Sequence, residues 1–318
     1  MTENRLIVSV PGSTLKDAVG AVSNSAVPSS ADSGGVEFVI WDMTGPAPVD
    51  AIDIVVPPYM GASDKLVNLA GVRTRLVQSQ SIGYDGVERV LPPGHVYANA
   101  ATVHETSTAE LTLALILASQ RGIPNFVRAA EKGHWAPERL QSLADRTVLI
   151  VGYGGVGKAV EQRLLPFETD VVRVASVARD DERGRVHSID ELPDLVPTAD
   201  IVVIGVPLNE FTTHLVDDRF LSLMPDGALL VNIARGGVVD TDAMLDHATR
   251  GRLRFALDVT DPEPLPDGHP LFGLPNVLIS PHVGGASTAM MPRMARLLRR
   301  QIDRMLAGDE PLNVVLRS

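Results

Sequence analysis

The sequence predicts an α/β protein of two domains, each a doubly wound parallel sheet with helices on both faces. Three observations carry that prediction. Short β-branched runs alternate with helical segments along most of the chain. At 318 residues the chain is long enough for about two domains of ordinary size. One apolar run, Val148 to Val151, ends abruptly in GYGGVG at 152–157, and a helical pattern follows through Leu165. That is strand, tight turn, helix, with G-x-G-x-x-G at the turn.

Composition sets the bounds. The chain is 45% hydrophobic and 21% charged, so it can bury a core and is not disordered. Its net charge of −11 argues against a nucleic-acid partner, which needs a basic face. With no cysteine, disulfides, thiolate metal sites and thiol nucleophiles are excluded. The first residues, MTENRLIVSV, lack a basic region followed by a long apolar core, and the longest apolar stretch, Leu111 to Ala118, is too short to span a bilayer. A cytoplasmic protein with no membrane partner is expected.

Leu6–Val10 reads as a strand, Leu15–Val22 as a helix, Val36–Trp41 and Ile52–Val56 as strands, Lys65–Leu69 as helical, and Thr74–Gln80 as a strand. SSADSGG, at 29–35, is a loop by composition. PPYMG (57–61) and SIGYDG (81–86) fall after strand ends, where ligands bind in such sheets; ordinary turn chemistry also accounts for both. Ser107-Thr108-Ala109-Glu110 reads as a capping box opening a helix to about Arg121, stopped by Gly122 and Pro124. That helix is apolar on most sides, so a buried crossing between domains is expected. GHWAP (133–137) is a loop leading to the glycine turn.

Beyond the turn, strands are expected at Val171–Ser176, Ile201–Val206, Ala228–Ile233, Arg254–Val259 and Val277–Ser280, with a helix at Asp242–Thr249. Each strand ends in a polar or glycine-bearing loop, so the loops should collect at one sheet edge. The last helix, about Ser287–Leu306, places Met291, Met294, Leu298, Ile302 and Met305 on one face. Arg293, Arg296 and Arg300 lie on another, which reads as a solvated face.

The chemistry at the glycine turn comes from its residues. Gly152 allows a sharp reversal, Gly154 lets backbone approach a pyrophosphate, and Gly157 lets the helix pack against the strand. Free N–H groups at the helix start then face the phosphates, making Gly152, Gly154, Gly155, Val156 and Gly157 candidate cofactor contacts. Arg235, Glu263 and His282 lie after successive strands. A lone histidine or arginine in such a place is as readily structural, but the three should converge on the edge that carries the glycine turn.

At these residues the chain resembles the D-isomer-specific 2-hydroxyacid dehydrogenase family. The matching blocks run through nearly the whole length: SIGYDG, STAELTLALILASQRGIP, GHW, VGYGGVG, ADIVVIGVPLNEFTTHLV, LLVNIARGGVVDTDAML, ALDVTDPEPLP and PNVLISPHVGG. The resemblance implies two Rossmann-like domains. A flavodoxin-like substrate domain would hold residues 1–99 and 290–318, a dinucleotide-binding domain residues 100–289, with the active site in the cleft between them. It implies that Arg235 binds substrate carboxylate and carbonyl oxygen, that His282 is the acid/base, and that Glu263 pairs with it. Val206, Pro207, Thr212, Ile233, Ala234 and Gly284 would line the dinucleotide, and Asp258 would contact the nicotinamide carboxamide. Ile82 and Gly83 would offer backbone N–H groups to the substrate carboxylate. Tyr59 or Met60 would close over the substrate side chain, and Trp135 would serve a partner subunit or wall the site; buried packing accounts equally well for these three.

General chemistry supports those roles. A guanidinium fork matches a planar carboxylate and stabilises the charge that grows on a carbonyl oxygen as hydride arrives. Imidazolium is the natural proton donor near neutral pH, and a carboxylate on its other nitrogen fixes the tautomer and favours the charged form. The expected activity is hydride transfer between NAD(P)H and a small 2-keto acid, with glyoxylate or hydroxypyruvate the first choice.

An NAD site carries an acid about 20 residues past the last glycine, to hold the adenosine ribose. Here that position falls on Ser176 or Val177; Asp170 precedes the strand, and Asp180 and Asp181 lie beyond its tip. Ser176 and Arg179 suit a 2′-phosphate, so NADP(H) is expected to be preferred, with NAD(H) possible. No G-x-S-x-G, H-E-x-x-H or Walker A pattern occurs, and no metal site is expected. Within the family, no room is left after LNVVLRS for a C-terminal regulatory domain, no formate-dehydrogenase-like N-terminal extension is present, and QSIGYDG lacks the lysine of phosphite dehydrogenases. A homodimer is expected. One alternative stays open here: a dinucleotide-sensing, corepressor-like protein whose output is partner binding.

Overall fold

A computed structural model describes residues 5–22, 35–59 and 61–318; Met60 and the loop at 29–34 lie outside the described residues. The chain divides into two compact units, Met1–His104 with Thr288–Ser318, and Glu105–Ser287. The first stretch contains β1 (Leu6–Val10), α1 (Ser13–Gly20), β2 (Val36–Ile40), β3 (Ala51–Val55), α2 (Ala62–Lys65), β4 (Arg73–Gln78), α3 (Val87–Val90) and β5 (Val96–Ala98). Next come α4 (Glu105–Gln120), α5 (Ile123–Glu131), β6 (Thr147–Val151), α6 (Gly155–Leu164), β7 (Asp170–Ala175), β8 (Arg179–Asp181) and β9 (Gly184–Ser188). The chain continues through α7 (Leu192–Leu195), β10 (Ile201–Ile204), α8 (Asp218–Leu223), β11 (Leu229–Asn232), α9 (Thr241–Thr249), β12 (Arg254–Leu257) and β13 (Val277–Ile279). It closes with α10 (Met290–Ala307) and β14 (Val314–Arg317).

The first unit holds a six-stranded sheet of order β14-β5-β4-β3-β1-β2, parallel except for β14. The second holds an eight-stranded sheet of order β13-β12-β11-β10-β6-β7-β9-β8, parallel except for the β8–β9 hairpin. Both are α/β sheets of the doubly wound kind, as the alternation of elements predicts.

Continuous apolar runs make these strands central, because alternate residues are buried on opposite faces. In the second unit Leu149, Val151, Val202 and Ile204 join one core, while Val148, Ile150, Ile201 and Val203 join the other. α4 supplies Ala109, Leu113, Leu115 and Ile116 to the latter core. α10 supplies Met294, Leu298, Ile302 and Met305 to the core of the first unit, where it packs on α1. Arg296 and Arg300 remain exposed on its other face.

One local expectation is corrected. The capping box at Ser107 does not form: α4 already starts at Glu105, and Ser107 is a buried helical residue whose hydroxyl meets that of Ser287 at 2.5 Å. As expected, α4 stops next to Gly122 and Pro124, ending at Gln120, and a separate helix, α5, begins at Ile123. Gly122 takes a left-handed φ of 62°, and Pro124 sits in the first turn of α5, where its missing N–H costs nothing. Among the described residues no helix is long and apolar enough to cross a membrane.

Candidate active site

The sheet of the second unit reverses direction at β6: β7 lies on one side and β10 on the other. The carboxyl ends of strands flanking such a switch point form a crevice that takes ligands. The glycine turn lies there. Gly152 has φ 110°, and a Cβ on it would stand 2.4 Å from the Gly205 carbonyl carbon, so only glycine lets the two loops meet. A Cβ on Gly157 would lie 2.5 Å from the Gly152 oxygen, whereas one on Gly154 would meet nothing within 4 Å. Gly154 and Gly155 are exposed, the N-cap Gly154 has no side chain with which to cap α6, the Glu105 carboxylate lies beside Gly155, and Val156 is half-buried. A helix N-terminus with a glycine N-cap, in an exposed turn open at Gly154, fits a pyrophosphate.

β10 leads into Val206, Pro207 and a turn closed by buried Thr212, whose hydroxyl donates to the Pro207 carbonyl at 2.6 Å. β11 ends at Asn232, which is buried and whose amide shapes the loop beyond it. Its oxygen accepts from the Ala234 N–H at 3.1 Å, and its NH2 donates to the Arg235 carbonyl at 2.9 Å. Ile233 and Ala234 are thereby held in the loop, and Arg235 is extended and half-buried, with one guanidinium nitrogen donating to the Ala234 carbonyl at 2.7 Å. The next residue allows no side chain at all. A Cβ on Gly236 would fall 1.9 Å from the Thr260 oxygen, so the arginine loop lies directly on the backbone of the β12 loop.

β12 ends before Asp258, which is 3% exposed. Its carboxylate is engaged on both oxygens. Oδ1 accepts from the Ser280 hydroxyl at 2.7 Å and the Val283 N–H at 2.9 Å, and Oδ2 accepts from the Gly284 N–H at 2.9 Å. The His282 N–H donates to the Asp258 carbonyl at 2.7 Å. This cage explains an unusual backbone: His282 has φ 52°, the left-handed region that a residue with a Cβ enters at a cost. Asp258 overdetermines the conformation and so presents the imidazole. The ring's Nδ1 stands 2.5 Å from Glu263 Oε1, with both side chains roughly half exposed (45% and 41%). A carboxylate on Nδ1 holds the ring's orientation and leaves Nε2 as the nitrogen that can exchange a proton with a bound molecule.

Arg235, Glu263 and His282 thus lie after three adjacent parallel strands at one edge, the edge that also carries the glycine turn. Ile82, Gly83 and Tyr59 belong to the other unit. There the Asn99 amide donates to the Ile82 carbonyl at 2.9 Å, Gly83 is half-buried, and the Tyr59 ring stacks on His104 at 5.5 Å between centroids. Trp135 is 95% exposed. Among the described residues no group of three or more histidines and acids could hold a metal ion.

At the tip of β7, Ser176 and Val177 are exposed and neither is an acid. Arg179 opens β8 and donates to the Tyr153 carbonyl of the glycine turn at 3.2 Å. Behind it lies a cluster that sequence reading does not detect. Glu161 on α6 is fully buried and accepts from Arg173 Nε at 2.5 Å, from Arg183 at 2.6 Å and from the Tyr153 hydroxyl. Burial alone would raise its pKa, but the hydrogen bonds from Tyr153, Arg183 and Arg173 outweigh it and hold the carboxyl below the usual range. Burial, and then the neighbouring carboxylate, push the Tyr153 phenol up.

Comparison with known proteins agrees with this geometry. The family described as D-isomer specific 2-hydroxyacid dehydrogenase, NAD binding domain, matches residues 113–284. A glyoxylate reductase of Pyrococcus horikoshii is 31% identical over 282 residues, which cover 85% of this chain and 84% of that one. The glyoxylate reductase/hydroxypyruvate reductase of Homo sapiens is 28% identical, with coverage of 85% and 88%. A D-isomer specific 2-hydroxyacid dehydrogenase from Xanthobacter autotrophicus, solved with NADPH and MES, superposes with a TM-score of 0.78 at 26% identity over 98% of each chain.

Proposed function

The chain belongs to the D-isomer-specific 2-hydroxyacid dehydrogenase family, and on that premise we propose that it reduces a small 2-keto acid of the glyoxylate or hydroxypyruvate class, with NADPH preferred. The family makes it an NAD(P)-dependent oxidoreductase acting on a CH–OH group. The observation that carries the assignment of roles is the 2.5 Å contact between His282 Nδ1 and Glu263, on a backbone that Asp258 holds in a strained conformation.

The dinucleotide supplies the hydride. The protein binds, orients and delivers a proton. Arg235 pairs its planar fork with the substrate carboxylate and lies against the carbonyl oxygen, where negative charge develops. His282 gives a proton from Nε2 to that oxygen, and Glu263 stabilises the imidazolium that donates it. In the reverse direction the neutral ring takes the proton back. Ile82 and Gly83 contribute N–H groups to the carboxylate, and Tyr59 bounds the substrate side chain. N–H groups at the start of α6 hold the pyrophosphate. Val206, Pro207, Thr212, Ile233, Ala234 and Gly284 line the dinucleotide. Asp258 serves its nicotinamide end and also folds the histidine loop. The homodimer remains part of this reading, supported by the exposed apolar side chains of Ile123, Phe126, Val127 and Trp135.

The cofactor preference rests on the missing acid at the tip of β7 and on Arg179 beside the turn. A carboxylate there repels a 2′-phosphate and holds a ribose diol; serine and arginine do the reverse. Monitoring loss of reduced-nicotinamide absorbance with glyoxylate, hydroxypyruvate, pyruvate and phenylpyruvate tests both parts. Wild-type protein should show a higher kcat/KM with NADPH than with NADH. Arg179→Ser should lower that ratio by about tenfold or more, the weight of one charge-assisted phosphate contact. More efficient turnover with NADH in the wild type would overturn the preference. No turnover on any keto acid, with cofactor bound, would overturn the reductase reading.

A further inference from the structure

The β8–β9 hairpin has little to hold it in place by ordinary means. Its sequence, RDDERGRVHS at 179–188, buries a single apolar side chain, Val186. It joins the sheet at an edge through two residue pairs, Val174 with His187 and Ala175 with Ser188. Yet this hairpin carries Arg179, the residue on which the cofactor preference depends. What fixes it is ionic. Arg183, at the hairpin turn, donates to Glu161 at 2.6 Å and accepts from Arg173 on its carbonyl at 2.5 Å. Glu161 also takes Arg173 Nε and the Tyr153 hydroxyl, and Tyr153 in turn accepts Arg179 on its backbone carbonyl. One buried carboxylate therefore links the glycine turn, α6, β7 and the hairpin.

A cluster of this kind is a poor way to gain stability. Apolar side chains of similar volume would serve as well, because desolvating the charges offsets their attraction. Its benefit is a defined geometry. A free arginine loses rotamer freedom when it binds a phosphate, and a supporting shell that fixes it beforehand reduces that loss. We propose that Glu161 and Arg183 are positioning residues for cofactor discrimination: by clamping the hairpin turn to α6 they hold Arg179 beside the glycine turn, where it meets the 2′-phosphate. The inference rests on the reading of Arg179 given above.

The test uses full-length protein and compares Arg183→Met, Arg183→Lys, Arg179→Ser and the double variant Arg179→Ser/Arg183→Met. The Arg183 side chain is 31% exposed, and its loss leaves Glu161 paired with Arg173 and Tyr153. Arg183→Met should raise KM for NADPH by about tenfold, leave KM for NADH within about twofold, and leave kcat unchanged with either. Arg183→Lys, which keeps the charge, should recover part of the loss and is the milder variant should methionine not give folded protein. In the Arg179→Ser background, Arg183→Met should have no further effect on the NADPH-to-NADH ratio.

A merely structural role gives a different pattern. Both KM values would rise together, or the Arg183→Met effect would persist without Arg179, and either result overturns the proposal. If Arg179→Ser changes the ratio but Arg183→Met does not, the clamp is refuted while the reading of Arg179 stands. If Arg179→Ser leaves the ratio at its wild-type value, both fail.

Discussion

His282→Gln should cut kcat for keto-acid reduction by about 100- to 10,000-fold, the weight of a well-placed general acid and roughly 3–5 kcal/mol of barrier. Glutamine fills similar space but carries no titratable nitrogen, so it cannot deliver a proton to the developing alkoxide. Cofactor affinity should change little, because the substitution leaves the glycine turn and the β7 tip untouched and keeps the backbone of the histidine loop, including Gly284. Glu263→Gln should fall between this variant and wild type. The ring keeps a hydrogen-bond partner on Nδ1 but loses the negative charge that stabilises its protonated form. Steady-state kinetics with saturating NADPH, together with a fluorescence titration of the cofactor, separate the two effects. Near wild-type kcat in His282→Gln would remove His282 from the role.

Arg235→Lys should lower kcat/KM for the keto acid by about 100- to 1,000-fold, although it keeps the charge. Two losses combine. An ammonium cannot make the paired, planar contact with a carboxylate, which shows in KM. Nor can it reach carboxylate and carbonyl oxygen at once, which shows in kcat because charge on that oxygen is greatest in the transition state. The surroundings make the position unforgiving. Asn232 fixes the loop from below, and Gly236 lies so close to the Thr260 carbonyl that the chain cannot shift to accommodate another side chain. A lysine variant with unchanged kcat and a modestly raised KM would show that Arg235 binds substrate without acting on the carbonyl.

The placement of the candidate site residues at one sheet edge is legible in the sequence because each lies in a local signal, while the roles proposed for them come from the family resemblance. Four glycines after an apolar run, and a polar loop after each later strand, can be read in short windows, and a parallel sheet brings those loops to one edge. The central strands are legible for the same reason, since VLIV at 148–151 and IVVI at 201–204 are apolar throughout and buried on both faces. Signals that depend on distant partners are not. Ser107 and Glu110 have the spacing of a capping box, yet α4 starts earlier, and the Ser107 hydroxyl turns to Ser287, 180 residues away. The β8–β9 hairpin has no apolar alternation, because a buried carboxylate on α6 holds it. Glu161 itself looks like any solvated helix glutamate; only its three donors, spread over Tyr153, Arg173 and Arg183, mark it out. The family resemblance casts Asp258 as a cofactor contact, but its place in folding the histidine loop is visible only in three dimensions, where both of its oxygens are engaged.

The most direct measurement is the product itself. The protein would be incubated with NADPH and either pyruvate or hydroxypyruvate, and the resulting 2-hydroxy acid resolved on a chiral column and quantified against cofactor consumed. Membership of the D-isomer-specific family predicts one equivalent of the D-acid for each NADPH oxidised, and the role proposed for His282 predicts that its formation is lost in His282→Gln. Formation of the L-acid, or cofactor oxidation without a hydroxy acid, would contradict the account. So would the absence of product while the cofactor is demonstrably bound.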